Sequence, residues 1–349
     1  MGTGLIGGSV GLAVRRRHPD LEVVGVDPVS AARAVERGAC TSEAPLDVAV
    51  RDADLVVLAA PVGTLPALLR EVSGHVRPDT LVTDVGSVKG PLAHVARGLS
   101  GVRFCGGHPM AGAERGGVEH ADALLFENAA YVLCPRDGEP VPPEARWLVE
   151  AVGARAVVAD AERHDRLVAT VSHLPQLLAV ALVEVAADLG DDALALAAGG
   201  FRDMTRIASS PFGLWGDIYA ANAPAVEAAV EALAATLGGY RDKVAQNPEG
   251  LRAAFERSAR HRGVIPADAR GFLAPLADVV VWTADRPGAL HAITGALADA
   301  HVDVKDIELM RVREGDAGTF RIGLADGAAA ERAVEALSAR GFRARRRDA

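Results

Sequence analysis

Gly2-Thr3-Gly4-Leu5-Ile6-Gly7 has the spacing GxGxxG, which is typical of the first turn of a dinucleotide-binding βαβ unit. Its glycines permit a tight turn, close approach of the backbone to a pyrophosphate, and close packing of the next helix, whose N-terminus faces the phosphates. Asp27 ends the apolar run 23–26, and an acid about 20 residues after the fingerprint accepts the ribose hydroxyls but repels a 2′-phosphate. The sequence therefore predicts NAD rather than NADP, at a site formed by Gly2, Gly4, Leu5, Ile6, Gly7 and Asp27.

The strand that normally leads into such a fingerprint is absent, because the motif begins at residue 2. That strand lies in the middle of the sheet, so its loss would open the core. We therefore expect the chain start to be mis-assigned or truncated. A valine codon can serve as a bacterial start, and valine suits the position of Met1. Sequencing of the native N-terminus tests this expectation.

Short apolar runs alternate with helical stretches over residues 1–158, which we expect to be the NAD-binding domain. Runs of this kind, separated by helices, predict a parallel sheet that is covered on both faces. The fold class is therefore α/β, a Rossmann-like doubly wound sheet that lacks its first strand. The predicted strands are 22–26, 55–59, 81–84, 103–105 and 131–134.

Two further domains are expected after this sheet. Residues 159–262 carry no strand pattern and predict an all-α substrate and dimerisation domain. Leu174–Ala187 is apolar on nearly all sides and predicts a buried helix. Residues 273–349 predict a small βαββαβ module. A second apolar stripe of the helical domain favours a homodimer, and it consists of Val226, Val230, Leu233, Leu237, Tyr240 and Val244.

Composition excludes several kinds of partner. The net charge of −9 argues against nucleic acid. Leu174–Ala187 is too short and too polar to span a bilayer, so no membrane contact is expected. The three cysteines form neither a metal-ligand pair nor a disulfide framework, which fits a reducing cytoplasm. The glycine-rich start does not resemble a signal peptide.

Polar residues follow two of the predicted strands, where ligands bind in sheets of this class. Ser87 lies in the loop 84–89 and His108 in the loop 106–114, and glycines flank both. We interpret them as an acid–base pair beside a nicotinamide. Farther along, Arg206 lies in the helical segment, and its guanidinium can bind a carboxylate through two hydrogen bonds. The run 164–166 is interpreted as a polar helix surface or hinge.

Over about residues 1–245 the chain resembles the prephenate dehydrogenase family, because several motifs occur in the same order. These motifs are 2–8, 84–89, 108–114, 172–175, and 201–207 followed by Trp215, Asp217 and Ile218. The C-terminal module, with Asp285-Arg286-Pro287-Gly288, resembles an ACT domain, which usually binds a regulatory amino acid. The expected effector is tyrosine or another aromatic amino acid, and a spacer or dimerisation module is the alternative.

The resemblance implies NAD-dependent oxidative decarboxylation of prephenate to 4-hydroxyphenylpyruvate in tyrosine biosynthesis. His108 would accept the proton of the ring hydroxyl as hydride leaves the same carbon, and loss of the carboxylate would then aromatise the ring. Ser87 would hold His108 and the hydroxyl in line, and Arg206 would bind a substrate carboxylate. The other predicted substrate-site residues are Asp203, which would orient Arg206, Glu114, which would gate the pocket, His173 and Gln176.

Several alternatives stay open. Many family members carry a second histidine at the position of Gln176, and this departure keeps arogenate, which has an amino group in place of the keto group, as a substrate. A non-catalytic amino-acid sensor is a second alternative. A β-hydroxyacid dehydrogenase is disfavoured, because Lys243 lies far from any motif. Purely structural alternatives exist for a loop His108, a helix-capping Ser87, a surface Arg206 and a core His173.

Overall fold

The computed structural model describes residues 1–112, 115–264, 276–284, 286–310 and 318–346. It divides into two compact units, Met1–Arg252 and Ala253–Ala349. The first unit begins with alternating strands and helices. Its strands are β1 (Val24–Gly25), β2 (Ser42–Glu43), β3 (Leu55–Leu58), β4 (Leu81–Asp84), β5 (Arg103–Pro109), β6 (Ala130–Pro135) and β7 (Arg155–Val158). The helices among them are α1 (Leu5–Arg17), α2 (Ala31–Glu36), α3 (Leu46–Arg51), α4 (Leu65–Ser73), α5 (Gly90–Gly98) and α6 (Pro143–Ala151).

The main sheet has the order β3-β4-β5-β6-β7, and β1 pairs with β2 in a separate parallel ladder. Strands β3, β4 and β5 are parallel, β6 is antiparallel to β5, and β7 is parallel to β6. Helices cover both faces. One core contains Val14 of α1 and Leu148 of α6, and the other contains Leu69 of α4 and Leu92 of α5. The predicted doubly wound α/β fold is confirmed, and the reversal at β6 is its one departure from a parallel sheet.

The first two residues lie between the two sheets. The amino group of Met1 donates to Val57 O at 2.8 Å, and Ala59 N donates to Met1 O at 2.7 Å. Gly2 N donates to Val26 O at 2.8 Å on the other side. Met1 therefore pairs with β3 as a strand residue would, and residues 1–2 connect the two sheets edge to edge.

Strand β5 is longer than the sequence predicts and includes His108. We expected Gly106 and the residues after it to form a loop, and this was wrong as far as Pro109, because β6 folds back and pairs His108 with Val132. A Cβ at Gly107 would lie 2.4 Å from the carbonyl oxygen of Asp84, so glycine allows the close approach to β4. His108 thus projects from a strand and not from a loop.

The rest of the first unit is helical. Helices α7 (Ala161–Val168) and α8 (Leu174–Ala187) are joined by a π-helical segment, Ala169–His173. Pro175 has no amide hydrogen for the helical ladder, and a π turn at this point accommodates that gap. The helices that follow are α9 (Asp191–Ala195), α10 (Gly199–Thr205), α11 (Phe212–Ala221) and α12 (Ala223–Gln246).

Ala161–Ala187 is one continuous helix of 27 residues, longer than the apolar run 174–187 that the sequence indicates. Among the described residues it is the one helix that is long and apolar enough to cross a membrane. It also buries His164, Asp165, His173 and Gln176. Polar groups of this kind are costly in lipid, and His164 and Asp165 contact the sheet domain, which argues against a membrane span. The prediction of a buried helix over Leu174–Ala187 was wrong for the single chain, because Gln176 and Ala179 are the buried residues of α8.

The second unit contains the predicted βαββαβ module. Its elements are α13 (Arg252–Gly263), β8 (Ala277–Thr283), α14 (Ala289–Asp299), β9 (Val304–Met310), β10 (Gly318–Leu324), α15 (Gly327–Ala339) and β11 (Arg343–Arg346). The sheet is antiparallel with the order β11-β8-β10-β9. Ile293 and Leu297 of α14 and Leu337 of α15 pack with Val281 in its core. The turn residue Asp285 lies outside the described residues.

Candidate active site

The glycine turn before α1 leaves room for a ligand against the backbone. Gly2 has a φ of +82°, and a Cβ there would lie 2.4 Å from Ala59 O. A Cβ on Gly7 would lie 1.9 Å from Gly2 O, whereas one on Gly4 meets no atom within 4 Å. Helix α1 begins at Leu5 without a side-chain cap, so the amides of its first turn can bind an anion. This geometry fits a pyrophosphate over Gly4.

Asp27 lies against the same turn. Its Oδ2 accepts from Thr3 N, and its Oδ1 accepts from Val29 N and Ser30 N, all at 2.9 Å. Burial by itself raises the pKa of this carboxyl, but these hydrogen bonds outweigh burial and the pKa is lowered overall. Each carboxylate oxygen offers two lone pairs, so Oδ2 can also accept from a ribose hydroxyl.

A buried ion pair underlies the loop 84–89. Lys89 Nζ contacts Asp84 Oδ2, and neither side chain is more than 1% exposed. Lys89 Nζ also donates to Gly107 O at 2.6 Å. Gly86 N and Gly107 N donate to the Asp84 carboxylate at 2.8 and 3.1 Å. The pair is thus well hydrogen-bonded, as burial of two charges requires, and it fixes the backbone next to His108.

His108 is held by side chains that the sequence did not assign to the site. Its Nδ1 lies 2.9 Å from His164 Nε2, and His164 Nδ1 lies 2.8 Å from Asp165 Oδ1. The amides of Lys89 and Gly90 donate to Asp165 at 2.8 and 2.7 Å. The interpretation of residues 164–166 as surface was wrong for His164 and Asp165, which are 2% and 7% exposed because α7 packs this face toward α5 and β6.

The surroundings keep His108 neutral. Burial lowers the pKa of His108 well below its usual 6.5, and the positive charge of Lys89 and electrostatic interactions with the His164 and His173 imidazoles lower it further. A general base must be unprotonated before it can accept a proton, so this environment suits that role.

His173 lies at the end of the π segment and is 1% exposed. Asn222 Nδ2 donates to Asp165 O at 2.9 Å and lies 3.3 Å from His173 Nδ1, which assigns the hydrogen of the neutral ring to Nε2. Trp215 and Tyr219 of α11 pack edge to face against the His173 ring. The ring centroids are 6.2 Å apart for Trp215 and 6.4 Å apart for Tyr219. Burial lowers the pKa of His173 to about 4, so it remains a neutral hydrogen-bond donor.

Gln176, one turn after His173, is also buried. Its Nε2 donates to Ile207 O at 3.0 Å, which fixes the orientation of the amide. Its Oε1 is buried and has no partner among the described residues. Since Ile207 directly follows Arg206, this bond places the start of α8 next to the predicted carboxylate-binding arginine.

For Ser87, Asp203 and Glu114, the structure describes no contact that supports the predicted role. Ser87 is half-buried, and no described hydrogen bond joins it to His108, whose partner is His164. Asp203 is exposed on α10, and no described ion pair links it to Arg206. Glu114 lies outside the described residues.

Helix α11 connects this cluster to the glycine turn. Asp217 Oδ2 accepts from Gly63 N at 3.3 Å, and Gly63 lies in the short turn after β3. That turn follows Ala59, which contacts Gly2. The helical segment therefore reaches the carboxyl end of β3, where the dinucleotide turn also lies.

Sequence reasoning missed Asp84, Lys89, His164, Asp165 and Asn222 as site residues. One signal could have found two of them: residues 161, 164, 165, 168 and 169 are buried and follow helical spacing, so His164 and Asp165 share a stripe with alanine and valine. Asn222 carries no comparable local signal.

Comparison with known proteins gives matches over most of the chain. The family model for the prephenate dehydrogenase nucleotide-binding domain matches residues 10–158, the one for the prephenate dehydrogenase dimerization domain matches 160–256, and the ACT domain model matches 277–342. Prephenate dehydrogenase of Bacillus subtilis is 32% identical over 97% of this chain and 95% of that protein.

Two solved structures are also similar. Prephenate dehydrogenase from Aquifex aeolicus, in complex with hydroxyphenyl propionate and NAD+, is 30% identical with a TM-score of 0.67, over 75% of this chain and 95% of that one. Synechocystis arogenate dehydrogenase is 30% identical with a TM-score of 0.66, over 76% and 98%. The predicted cofactor, NAD, is confirmed. The chain belongs to the prephenate dehydrogenase family of NAD-dependent oxidoreductases.

Proposed function

We propose that this protein catalyses the NAD-dependent oxidative decarboxylation of prephenate to 4-hydroxyphenylpyruvate, a step of tyrosine biosynthesis, in the cytoplasm. The observation that carries the proposal is the neutral, half-buried His108, which is oriented by hydrogen bonds next to a buried ion pair. The relatives named prephenate dehydrogenase support the choice of substrate.

His108 accepts the proton of the ring hydroxyl as the carbon that bears it is oxidised. Bound NAD, held by the glycine turn and Asp27, would supply the acceptor for the hydride that leaves that carbon. The bond to the ring carboxylate then breaks, carbon dioxide leaves, and its electron pair completes the aromatic ring. Ser87 orients the hydroxyl of the substrate. The neutral His173 donates a hydrogen bond from Nε2 to the substrate.

Charge recognition is assigned to the helical segment. Arg206 binds a substrate carboxylate, and the bond from Gln176 to Ile207 O holds the adjacent backbone in place. The orientation of Arg206 by Asp203 and the gating of the pocket by Glu114 remain predictions from the sequence.

The buried Oε1 of Gln176 favours a second candidate substrate, arogenate. This oxygen is an acceptor without a described partner, and its amide cannot flip without losing the bond to Ile207 O. The amino group of arogenate can donate to such an acceptor, whereas the keto oxygen of prephenate cannot.

A turnover assay with both substrates tests the proposal. Reduction of NAD is followed with prephenate and with arogenate, for the wild type, His108→Ala and Gln176→His. We expect His108→Ala to lower kcat by about 10²–10⁴-fold with little change in NAD affinity, because it removes a general base. A higher kcat/KM for arogenate in the wild type, moved toward prephenate by Gln176→His, would establish the second candidate. Near-normal turnover of His108→Ala would refute the mechanism.

The three-domain division 1–158, 159–262 and 273–349 is part of the proposal, with the helical domain forming a homodimer. Several large apolar side chains of that domain are exposed in the single chain, including Val185 (66%), Leu189 (78%) and Phe212 (78%). The predicted stripe on α12 behaves likewise, since Val230, Leu237 and Val244 are also exposed. Exposed apolar surface of this extent is typical of a protein interface.

The ACT-like domain is proposed to bind an aromatic amino acid. A cleft of about 310 Å³ lies beside the turn before α14 and is lined by Ala284, Arg286, Gly288, Leu309 and Phe320, among others. This volume is at the small end of ligand pockets, which fits an amino acid. Calorimetry on the full chain with tyrosine, phenylalanine and tryptophan tests the site. Ala284→Trp, which fills the cleft, should abolish the heat of binding.

A further inference from the structure

We propose that His164 and Asp165 are positioning residues that fix the tautomer of His108, and that His164 takes up the proton that His108 Nδ1 releases when His108 Nε2 is protonated. The inference rests on the proposed function for its chemistry, and on the hydrogen-bond chain from His108 to the N-terminus of α5 for its geometry. Neither residue belongs to the motifs that identified the site.

The donors and acceptors along the hydrogen bonds from His108 through His164 to Asp165 can be assigned by starting at Asp165. Asp165 accepts backbone amides at both oxygens, from Lys89 N at Oδ1 and from Gly90 N at Oδ2. Amides only donate, so the carboxylate acts as the acceptor there and accepts from His164 Nδ1 as well. Neutral His164 then has a lone pair on Nε2, which must accept from His108 Nδ1. The lone pair of His108 is therefore on Nε2, the nitrogen left for the substrate hydroxyl.

The surroundings hold this arrangement in place. A Cβ at Gly90 would lie 2.9 Å from Asp165 Oδ2, so glycine lets the α5 amides reach the carboxylate. Asn222 holds the main chain of Asp165 through a 2.9 Å bond to its carbonyl oxygen. A carboxylate at a helix N-terminus is also stabilised by the helix dipole.

The same series of hydrogen bonds can transfer positive charge from His108 to His164. When His108 Nε2 gains the proton of the hydroxyl, His108 Nδ1 can release its proton to His164 Nε2, and no other bond changes. The positive charge then resides on His164, whose Nδ1 hydrogen is bonded to the Asp165 carboxylate. The ionisable groups facing His108 are Lys89, which is charged, and His164 and His173, and those near His173 are His164 and Asp165. Lys89 disfavours a cation on His108, whereas Asp165 favours one on His164.

Nitrogen NMR of imidazole-labelled protein tests the tautomer without turnover. We expect the hydrogen of His108 on Nδ1 in the wild type. In Asp165→Ala, which leaves His164 Nδ1 without its acceptor, the hydrogen of His108 should no longer be confined to Nδ1 and should also appear on Nε2. His164→Gln is a second variant, which can still accept from His108 and donate to Asp165, so it should retain the hydrogen on Nδ1. Glu162→Ala, which removes an exposed carboxylate on the same helix, is the matched control.

Steady-state kinetics test whether these residues contribute to turnover. Asp165→Ala should lower kcat at least about tenfold at every pH while KM for NAD stays unchanged, since general-base catalysis contributes about 10²–10⁴-fold. His164→Gln should lower kcat despite its retained tautomer, because glutamine cannot take up the proton. Glu162→Ala should stay within about twofold of the wild type.

Failure of the proposed function and failure of this inference give different results. A wild type without turnover of prephenate or arogenate overturns the proposed function, and the NMR result still decides the inference. A hydrogen on Nε2 of His108 in the wild type overturns the inference whatever the activity. Wild-type kcat in both Asp165→Ala and His164→Gln also overturns it.

Discussion

Individual polar side chains form the candidate active site, and each is held by a partner distant in sequence. His108 depends on His164, and Lys89 depends on Asp84 and on the carbonyl of Gly107. Such groups are costly to bury unless they are paired, so their pairing is a condition of the fold as well as of function.

The pH dependence of activity follows from His108. In the proposed mechanism its neutral form is the active one, so kcat/KM should fall as the pH decreases through the pKa of His108. Burial places that pKa well below 6.5, and activity should therefore be retained through pH 6.5 and lost only in more acidic solution. Measurement of kcat/KM from about pH 5 to about pH 8 checks this. A midpoint at or above 6.5 contradicts the predicted burial effect.

Removal of one partner of the buried ion pair should destabilise the sheet domain strongly. Asp84→Ala leaves the charge of Lys89 buried and unpaired, which costs about 3–5 kcal/mol of unfolding free energy. Urea denaturation measures the loss. Asp54→Ala is the control, because that carboxylate pairs with Arg77 at the surface and is 94% exposed, so we expect no measurable change. Equal effects in the two variants would show that the buried pair has no special role.

The candidate site is built from the ends of helices rather than from their central turns. The N-terminus of α1 faces the dinucleotide turn, that of α5 binds Asp165, and the π segment before α8 ends at His173. Helix N-termini have unpaired amides that donate hydrogen bonds to anions, and a π turn changes the direction of the side chains that follow.

The open space at Gly4 makes a prediction about the start of α1. Gly4→Ala meets no protein atom and should leave the melting temperature unchanged. Its methyl group would occupy the expected path of the pyrophosphate, so NAD should bind at least about tenfold more weakly. Calorimetric titration with NAD measures this. Gly98→Ala, which also meets no atom but lies far from the glycine turn in the sequence, should leave the affinity for NAD unchanged. Unchanged NAD affinity in Gly4→Ala would place the pyrophosphate elsewhere.

For the assembled protein, the exposed apolar face of the helical segment predicts a dimer. The mass in solution should be about 72 kDa, twice the 36.1 kDa of the chain. Val185→Glu combined with Leu189→Glu should shift this mass toward the monomer, because each places a charge on the exposed face. Light scattering during size-exclusion chromatography measures the mass. Val29→Glu, an exposed position in the sheet domain, should leave it unchanged. A monomeric wild type would refute the predicted dimer.

The sequence by itself predicted the order of strands and helices, the βαββαβ module and the glycine turn with Asp27, because spacing and apolar periodicity are local properties. It could not show that His108 lies on a strand, since antiparallel pairing with β6 overrides the low strand propensity of Gly106 and Gly107. Only the tertiary structure identified His164, Asp165 and Asn222 as neighbours of the site. Their roles arise from hydrogen bonds between segments tens of residues apart, and no local pattern encodes such contacts.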